Sequence, residues 1–319
     1  MSVPQVMVIV LNWNLPDDTC RCVSSLRQSD YPNLTLVVVD NGSDPCLYSQ
    51  LRSRLADDVE LLRSEMNLGF AEGNNLGLRH ALEHSADYAL VINNDTVVAP
   101  DMVSRLVAVA EARPDAGLLG PVIYYLQAPD QVWFAGYRFS HGIYILRRGL
   151  RLTSPIQPTE DVDFVSGCGM LIRRSVLEQV GAFPNEYFMY YEDVDLCFRV
   201  KAAGMKIVCV TEAHMWHAVS TSSGGPDSPI KQYHQVKSSL IFYRKHFRGL
   251  KLWLNIALRF GHAVFTLAKA IVRGQLKWDA VKMFLLGTQE GWRQPAHPLP
   301  TETRPISPIV ERSLPDQQN

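Results

Sequence analysis

The first hundred residues alternate between short apolar runs and stretches with helical character. Apolar runs rich in β-branched residues occur at 6–11, 34–39, 59–63 and 88–92, and helical stretches at about 17–27, 47–55 and 72–83 separate them. Continuously apolar runs are typical of strands that are covered on both faces. The pattern predicts an α/β fold in which a mostly parallel sheet is flanked by helices.

Beyond residue 117 the predicted strands are shorter, at 122–125, 133–137 and 164–172, and glycine and proline separate them. A helix at 192–203 and a strand that starts at 206 and ends near His217 follow. Basic, helical sequence comes after residue 226, and the end of the chain holds six prolines between Pro295 and Pro315. We expect an α/β domain at 1–220, a basic amphipathic helical region at 221–293 and a disordered tail at 294–319.

The formal net charge of the 319-residue chain is only -1, which argues against a nucleic-acid-binding protein. This average hides an asymmetry, because residues 1–220 hold 17 basic and 26 acidic residues whereas residues 221–293 hold 12 and 3. The six cysteines are scattered, which is typical of free thiols in a reducing compartment. The first apolar run is too short for a signal sequence, so we expect a cytoplasmic location.

Polar side chains follow three of the predicted strands. Asn12 and Asn14 follow the first strand, Asp40 and Asn41 end the second, and residues 93–95 end the fourth. Ligands of open α/β sheets bind beyond the carboxyl ends of the strands. The same residue types are also common in turns, so each group alone permits a structural interpretation.

Asp95 is a candidate metal ligand, because a carboxylate at a strand end can hold Mg²⁺ or Mn²⁺, and the cation can in turn hold a diphosphate. Capping of the next helix is the alternative. The segment 67–77 is rich in glycine and asparagine and runs into a helix, whose first N–H groups attract phosphate or sugar oxygens. A tight strand-to-helix connection would explain the same composition.

An acidic cluster opens the predicted helix at 192. Glu192, Asp193 and Asp195 follow four aromatic residues at 187–191. Carboxylates at a helix start are stabilised by the macrodipole, which is one interpretation. Aromatic rings beside a carboxylate also suit a sugar-binding pocket with a general base. His217 is either a buried core histidine or a further functional residue.

Together and in this order, these motifs resemble glycosyltransferase family 2 enzymes of the GT-A fold, and within them the rhamnosyltransferase-like proteins of bacterial surface-polysaccharide assembly. The resemblance rests on residues 8–14, 39–43, 67–75, 90–96, 167–171, 191–195 and 216–217.

The resemblance implies a role for each matching position. Asp40 and the backbone at 11–13 would hold the nucleotide base, Asp95 would be the carboxylate of the Asp-x-Asp motif, and His217 a further metal ligand. Asp193 would be the catalytic base and Glu192 would position hydroxyl groups. Asn93 replaces the first aspartate of the motif, so a strict need for a divalent cation stays open. The donor-binding candidates are Asn12, Asn14, Asp40, Asn41, Asn67, Gly69, Asn74 and Asn94.

The implied activity is inverting transfer of a sugar, plausibly rhamnose from dTDP-rhamnose, to a lipid-linked glycan in cell-surface polysaccharide synthesis. Alternatives are a hexosyltransferase that uses a UDP-sugar, a non-catalytic nucleotide-sugar-binding homologue, and a membrane-surface scaffold. A nucleotidyltransferase is disfavoured because the first strand lacks a glycine-rich, basic loop for a triphosphate.

The basic region contains a strongly amphipathic stretch. On a helix, a narrow polar stripe faces a wide apolar surface, and the stripe comprises Lys251, Asn255, Arg259, His262, Thr266, Lys269 and Arg273. This arrangement is typical of helices that lie in a membrane interface. Burial against the α/β domain or a second subunit, and a membrane span, are the alternatives. We expect residues 250–293 to bind an anionic membrane, which makes the protein peripheral on the inner face of the plasma membrane.

Overall fold

The computed structural model describes residues 2–140, 143–149, 159–219, 228–272 and 278–295. The helices and strands, in chain order, are β1 Val6–Asn12, α1 Pro16–Leu26, β2 Leu34–Asn41, α2 Pro45–Arg54, β3 Val59–Ser64, α3 Gly69–Glu83, β4 Tyr88–Asn93, β5 Thr96–Val98, α4 Met102–Ala112, β6 Ala116–Tyr125, β7 Ala128–Phe134, β8 Tyr137–Ser140, β9 Ile143–Gly149, β10 Thr159–Val162, β11 Gly169–Arg173, α5 Arg174–Gln179, α6 Glu192–Ala202, β12 Lys206–His217, α7 Pro229–His246, α8 Gly249–Val272 and α9 Trp278–Arg293.

The main sheet has the strand order β10-β12-β6-β11-β4-β1-β2-β3, with β5 and β7 paired at its side. The strands β4, β1, β2 and β3 are parallel to one another, as predicted, and β6 and β12 are also paired in parallel. The strand β11 lies antiparallel between β4 and β6, so the sheet as a whole is mixed. The described residues between β6 and β11 form strands and loops but no helix.

The predicted strands and helices of the first hundred residues are confirmed, because the apolar runs form the buried interior of the sheet. The residues of β1, β2 and β4 are almost all inaccessible to solvent. Helix α3 lies directly on β1, since a Cβ atom at Gly77 would come within 2.4 Å of the side chain of Ile9. This close approach brings the first turn of α3 to the carboxyl ends of β1 and β2.

The basic region contains two different kinds of helix. Helix α7 is part of the core, and its residues Leu240, Ile241 and Phe242 are buried. Helix α9 crosses α7 closely, because a Cβ atom at Gly287 would lie 2.5 Å from the backbone oxygen of Tyr233. The expected boundary at residue 220 and nearly all of the expected tail at 294–319 lie outside the described residues.

Helix α8 differs from α7 in that most of its apolar side chains are exposed. Among them are Leu250, Trp253, Val264, Phe265, Ile271 and Val272. Asn255, a member of the predicted polar stripe, is fully buried instead. None of the helices in the described ranges is long and apolar enough to cross a membrane.

Candidate active site

The polar residues predicted at the strand ends lie side by side at one edge of the sheet. Asn12 is paired with Asp40 in the register of β1 and β2, and Leu11 is paired with Asn93 in the register of β1 and β4. The parallel pairing therefore gathers the ends of three strands, which are distant in sequence, at one place.

A hydrogen-bond network joins the ends of β1 and β2. The amide of Asn12 donates to Asp40 Oδ1 at 2.8 Å and to Ser43 Oγ at 3.1 Å. Thr19 Oγ1 donates to Asn12 Oδ1 at 2.8 Å and accepts from Asn94 Nδ2 at 3.0 Å. The side chains of Asn12 and Asn94 thus hold the strand ends together, and Asp40 is completely buried in this network.

Arg63 at the end of β3 was not among the predicted site residues. Its Nε lies 3.6 Å from Asp40 Oδ2, and its guanidinium stacks on the ring of Tyr48 at 3.7 Å from the ring centre. It is the cation that faces the Asp40 carboxylate in the described network. Its position at the end of a predicted strand, on the same edge as Asp40, is the signal that could have identified it.

The segment before α3 is fastened to β2 by two asparagines. Asn41 Nδ2 donates to Asn67 Oδ1 and to the backbone oxygen of Gly69, each at 3.0 Å, and Asn41 Oδ1 accepts from the Leu68 amide at 2.9 Å. Gly69 has a φ of +83°, and a Cβ atom there would lie 2.3 Å from the backbone oxygen of Phe188. Asn41 and Asn67 therefore shape the loop, and glycine is required at 69.

Two other predicted donor-binding residues differ in their surroundings. Asn14 has a φ of 56° and its Oδ1 accepts from the Asp44 amide at 2.8 Å, so it forms the turn that follows β1. Asn74 is fully buried in α3, where its amide donates to the Phe70 oxygen. Its Oδ1 has no hydrogen-bond partner within the described part of the chain.

Asp95 and His217 lie against each other, although 121 residues separate them in the sequence. The antiparallel pairing of β5 with β12 brings them together, and His217 Nε2 lies 3.0 Å from Asp95 Oδ1. The ring of His217 also packs edge-on against Trp133 at 4.7 Å. Both side chains are buried. The sequence left open whether His217 is a core histidine or a functional residue, and the structure shows that it contacts Asp95.

The residues around Asp95 are suited to a divalent cation that a diphosphate helps to hold. His217 Nδ1 and Asn93 Oδ1 are buried lone-pair atoms for which the described residues offer no hydrogen bond. Asp95 adds a carboxylate, and hard cations prefer such oxygen ligands. Within the described ranges no group of three His, Cys, Asp or Glu residues could hold a metal ion. The protein would thus supply Asp95 and His217 to such a cation.

Glu192 and Asp193 form the first turn of α6, at the end of an unusual backbone turn. Tyr190 and Tyr191 have φ values of 67° and 73°, which are rare for residues with a side chain and cost on the order of 1–3 kcal/mol each. Asp193 Oδ2 accepts from the Gly167 amide at 3.0 Å and Oδ1 from the Val194 amide at 2.8 Å. The strained turn and these two bonds set the direction of the Asp193 carboxylate.

Glu192 is buried, and its Oε2 has no hydrogen-bond partner among the residues that the structure describes. Burial, together with the adjacent charge of Asp193, raises the pKa of the Glu192 carboxyl well above its usual range. The two neighbouring carboxyls thus differ in environment, because Asp193 accepts two backbone hydrogen bonds whereas Glu192 Oε2 accepts none from the described residues.

Asp195 belongs to the predicted acidic cluster but has a different environment, which the sequence analysis did not foresee. It is fully buried and is surrounded by Arg199, Lys245 and His246. Burial would raise the pKa of the Asp195 carboxyl, but the hydrogen bond from His246 and the neighbouring cations outweigh it and hold that pKa far below its usual range. Asp195 is therefore ionised and joins α6 to the end of α7.

The comparison with known proteins decides the family. The family model described as "Glycosyltransferase like family 2" matches residues 4–235. The chain belongs to glycosyltransferase family 2. This glycosyltransferase contains the predicted site within the matched residues, and all six of its cysteines are free thiols, as expected.

Several relatives of this glycosyltransferase carry rhamnosyltransferase names. The N-acetylglucosaminyl-diphospho-decaprenol L-rhamnosyltransferase of Mycobacterium tuberculosis H37Rv is 29% identical over 265 residues, which cover 75% of this chain and 83% of the relative. The dTDP-rhamnosyl transferase RfbF of Shigella flexneri is 25% identical, with 82% and 87% covered. The rhamnosyltransferase WbbL of Escherichia coli K12 is 25% identical, with 66% and 83% covered.

Solved structures confirm the GT-A fold of the glycosyltransferase. The mannosyltransferase PcManGT from Pyrobaculum calidifontis, in complex with GDP-Man and Mn²⁺, has a TM-score of 0.57 at 16% identity, with 92% of this chain and 89% of that chain covered. GalNAc-T7 with UDP, GalNAc and Mn²⁺ has a TM-score of 0.59 at 15% identity, with 76% and 48% covered. At these identities the likeness concerns the fold.

Proposed function

We propose that this glycosyltransferase transfers rhamnose from dTDP-rhamnose to a lipid-linked saccharide in the synthesis of a surface polysaccharide. The observation that carries the proposal is the set of rhamnosyltransferase relatives that match two thirds or more of the chain. The site is compatible with this chemistry, because it places a candidate base and a candidate diphosphate-binding edge in one family 2 fold.

The nucleotide base of the donor would be held at the ends of β1 and β2. The Asp40 carboxylate accepts from Asn12 and is balanced by Arg63, so it is a preformed acceptor for the N–H edge of a pyrimidine. Asp40 is buried, and the exposed ring of Trp13 lies in the turn directly after β1. The side chains of Asn12, Asn41, Asn67 and Asn94 then support this pocket from behind.

Departure of the nucleoside diphosphate builds negative charge on the leaving phosphate. A divalent cation held by Asp95 and His217 would supply charge stabilisation there. Asp193 accepts the proton of the attacking acceptor hydroxyl, since a hydroxyl is a poor nucleophile until its proton is removed. The backbone amides of Gly167 and Val194 fix the direction of this carboxylate. A single displacement of this kind inverts the anomeric carbon.

Glu192 has a different role in this scheme. As a buried carboxyl whose pKa is raised, it would donate a hydrogen bond to an oxygen of donor or acceptor, while its neighbour Asp193 accepts one. Two adjacent carboxyls can therefore serve opposite purposes, as is common where environments separate their pKa values.

We further propose that residues 250–293 bind an anionic membrane at its cytoplasmic face. The exposed apolar side chains of α8 extend to its end at Val272, and Trp278, Leu285 and Leu286 of α9 are exposed as well. Lys251, Lys269 and Lys282 accompany them, so apolar and basic groups occur on the same pair of helices. Apolar burial combined with cation attraction is how interfacial helices bind.

The donor is tested by thermal unfolding with dTDP-rhamnose, UDP-N-acetylglucosamine and GDP-mannose, each with and without Mn²⁺. A ligand at 100 times its Kd stabilises by about 2.7 kcal/mol, which is readily measured. We expect the largest rise with dTDP-rhamnose, and a part of it that depends on Mn²⁺. The control variant Asp95→Asn should lose the Mn²⁺-dependent part only.

A larger rise with UDP-N-acetylglucosamine would replace the proposed donor by a UDP-sugar. Equal rises with and without Mn²⁺ in the wild type would contradict the role of Asp95 and His217 as metal ligands.

A further inference from the structure

Residues 180–191 lead into α6 without regular secondary structure, yet side chains from several other elements hold them in place. Arg199 donates to the backbone oxygens of Val180 and Ala182, each at 2.6 Å. Asn75 donates to the Phe183 oxygen at 2.8 Å and accepts from its amide at 3.1 Å. We call residues 180–191 the approach segment, because they place the strained turn before Glu192.

The C-terminal helices hold the same segment. Ser238 of α7 donates to the Met189 oxygen at 2.9 Å, and Gln294, just after α9, donates to the Glu186 oxygen at 3.1 Å. Lys245 Nζ lies 2.6 Å from the Glu186 carboxylate. Side chains of α3, α6 and α7, and Gln294 after α9, thus hold the approach segment in place before it reaches Glu192 and Asp193.

Asp195 is the point where these contacts meet. Its Oδ2 accepts from the Tyr187 hydroxyl at 2.9 Å and lies 2.8 Å from His246 Nε2 and 3.0 Å from Lys245 Nζ. Its backbone amide donates to the Tyr191 oxygen at 2.8 Å, as part of the first turn of α6. The Asp195 side chain therefore holds the approach segment at Tyr187, and its backbone joins the end of the segment to α6.

We propose that Asp195 is a positioning residue for the transfer reaction. It acts through Tyr187 and Tyr191, and α7 completes it by supplying Lys245 and His246. The inference rests on the proposed role of Asp193 as the base. Asp193 lies two residues before Asp195, in the same turn of α6. Release of the approach segment would therefore let the Tyr190–Tyr191 turn relax. The Asp193 carboxylate would then rotate away from the direction that the Gly167 and Val194 amides give it.

A purely structural role would be shared by other hydrogen bonds from a tyrosine hydroxyl to a carboxylate, and the described part of the chain offers one from a buried tyrosine to an exposed carboxylate. The hydroxyl of Tyr88, at the start of β4, donates to the carboxylate of Glu111 in α4. Tyr88 and Tyr187 are each 1% exposed. The Tyr88 bond is remote from α6, so Tyr88→Phe removes the same chemistry as Tyr187→Phe without loosening the approach segment.

The experiment compares Tyr187→Phe, Asp195→Asn and Tyr88→Phe in the full chain. Turnover is measured with dTDP-rhamnose and a synthetic N-acetylglucosaminyl diphospholipid, dTDP affinity by calorimetry, and amide hydrogen exchange at residues 193–197 by mass spectrometry.

We expect Tyr187→Phe to lower kcat by about 10- to 100-fold at unchanged dTDP affinity, because small misplacements of catalytic groups cost this much. Exchange at 193–197 should accelerate. Tyr88→Phe should lower Tm by a similar few degrees and leave both readouts unchanged.

Equal kcat values in Tyr187→Phe and Tyr88→Phe would overturn the proposal, and so would unchanged exchange in Tyr187→Phe. Full activity in Asp195→Glu, which keeps the charge but moves the carboxylate, would also contradict it. If the wild-type enzyme turns over neither substrate, the proposed donor or acceptor is wrong, and the exchange measurement still decides whether Asp195 positions α6.

Discussion

Glu192→Gln should change the pH dependence of stability in a defined direction. In the folded protein the pKa of the Glu192 carboxyl lies well above its ordinary value, because the group is buried and next to Asp193. The folded state therefore keeps a proton that the unfolded chain releases above about pH 4.3. Stability from this group is complete below that pH and is lost as the pH rises toward the folded-state pKa.

Glutamine does not titrate, so the variant lacks this loss. The free energy of unfolding of Glu192→Gln, minus that of the wild type, should increase by up to about 1.4 kcal/mol for each pH unit above about 4.3 until the folded-state pKa is reached. In the variant, the glutamine amide takes the place of the unpaired Oε2 and changes the free energy of unfolding. This change does not depend on pH, so it cancels when two pH values are compared. For a domain of this size each kcal/mol shifts Tm by about 2–4 °C.

The measurement is thermal unfolding of both proteins at pH 5.5, 6.5 and 7.5, with Glu178→Gln as the control. Glu178 is half exposed and pairs with Arg174 on the surface, so its substitution shows what the loss of one surface carboxyl does to the same measurement. Parallel profiles for Glu192→Gln would show that Glu192 is ionised like an ordinary carboxyl, and the proposed hydrogen-bond donor would be lost.

Three further predictions concern catalysis, packing and membrane binding. Asp193→Asn should lower kcat by about 10² or more while dTDP affinity persists, since a positioned base contributes this much; near wild-type turnover would exclude Asp193 as the base. Gly287→Leu should lower Tm by several degrees, because even a Cβ atom would meet the Tyr233 oxygen at 2.5 Å, whereas Gly261→Leu on open surface should not. The double variant Phe265→Ser/Ile271→Ser should be released from anionic liposomes in a sedimentation assay, whereas Met66→Ser, at another exposed residue, should stay bound. Equal binding by the wild type and both variants would argue against the proposed membrane-binding surface.

The sequence predicts most of the fold because its strands are continuous apolar runs with polar ends. The places of Asp40, Asp95 and Glu192 follow from such ends and from the start of a helix. The pattern does not predict the direction of β11, which is antiparallel to both of its neighbours, β4 and β6. Local hydrophobicity carries no information on that choice.

Contacts between distant residues explain what else the sequence does not predict. Asp195 resembles its acidic neighbours, and its partner His246 lies 51 positions away. Asn255 belongs to a polar stripe that predicts solvent or lipid headgroups, but it is buried. The close crossing of α7 and α9 depends on Gly287 and Gly291, four residues apart, a spacing that gained meaning only once both helices were in place.

The burial of α7 separates two definitions of a domain. The match to the family model ends at residue 235, within this helix. The residues beyond that limit include Leu240, Phe242 and Tyr243 in the hydrophobic core and two of the cations around Asp195. A chain cut at the limit of the family match would expose part of its interior and leave a buried carboxylate short of its counter-charges. The match to the family model thus ends before the residues that complete the hydrophobic core and the charge balance of Asp195.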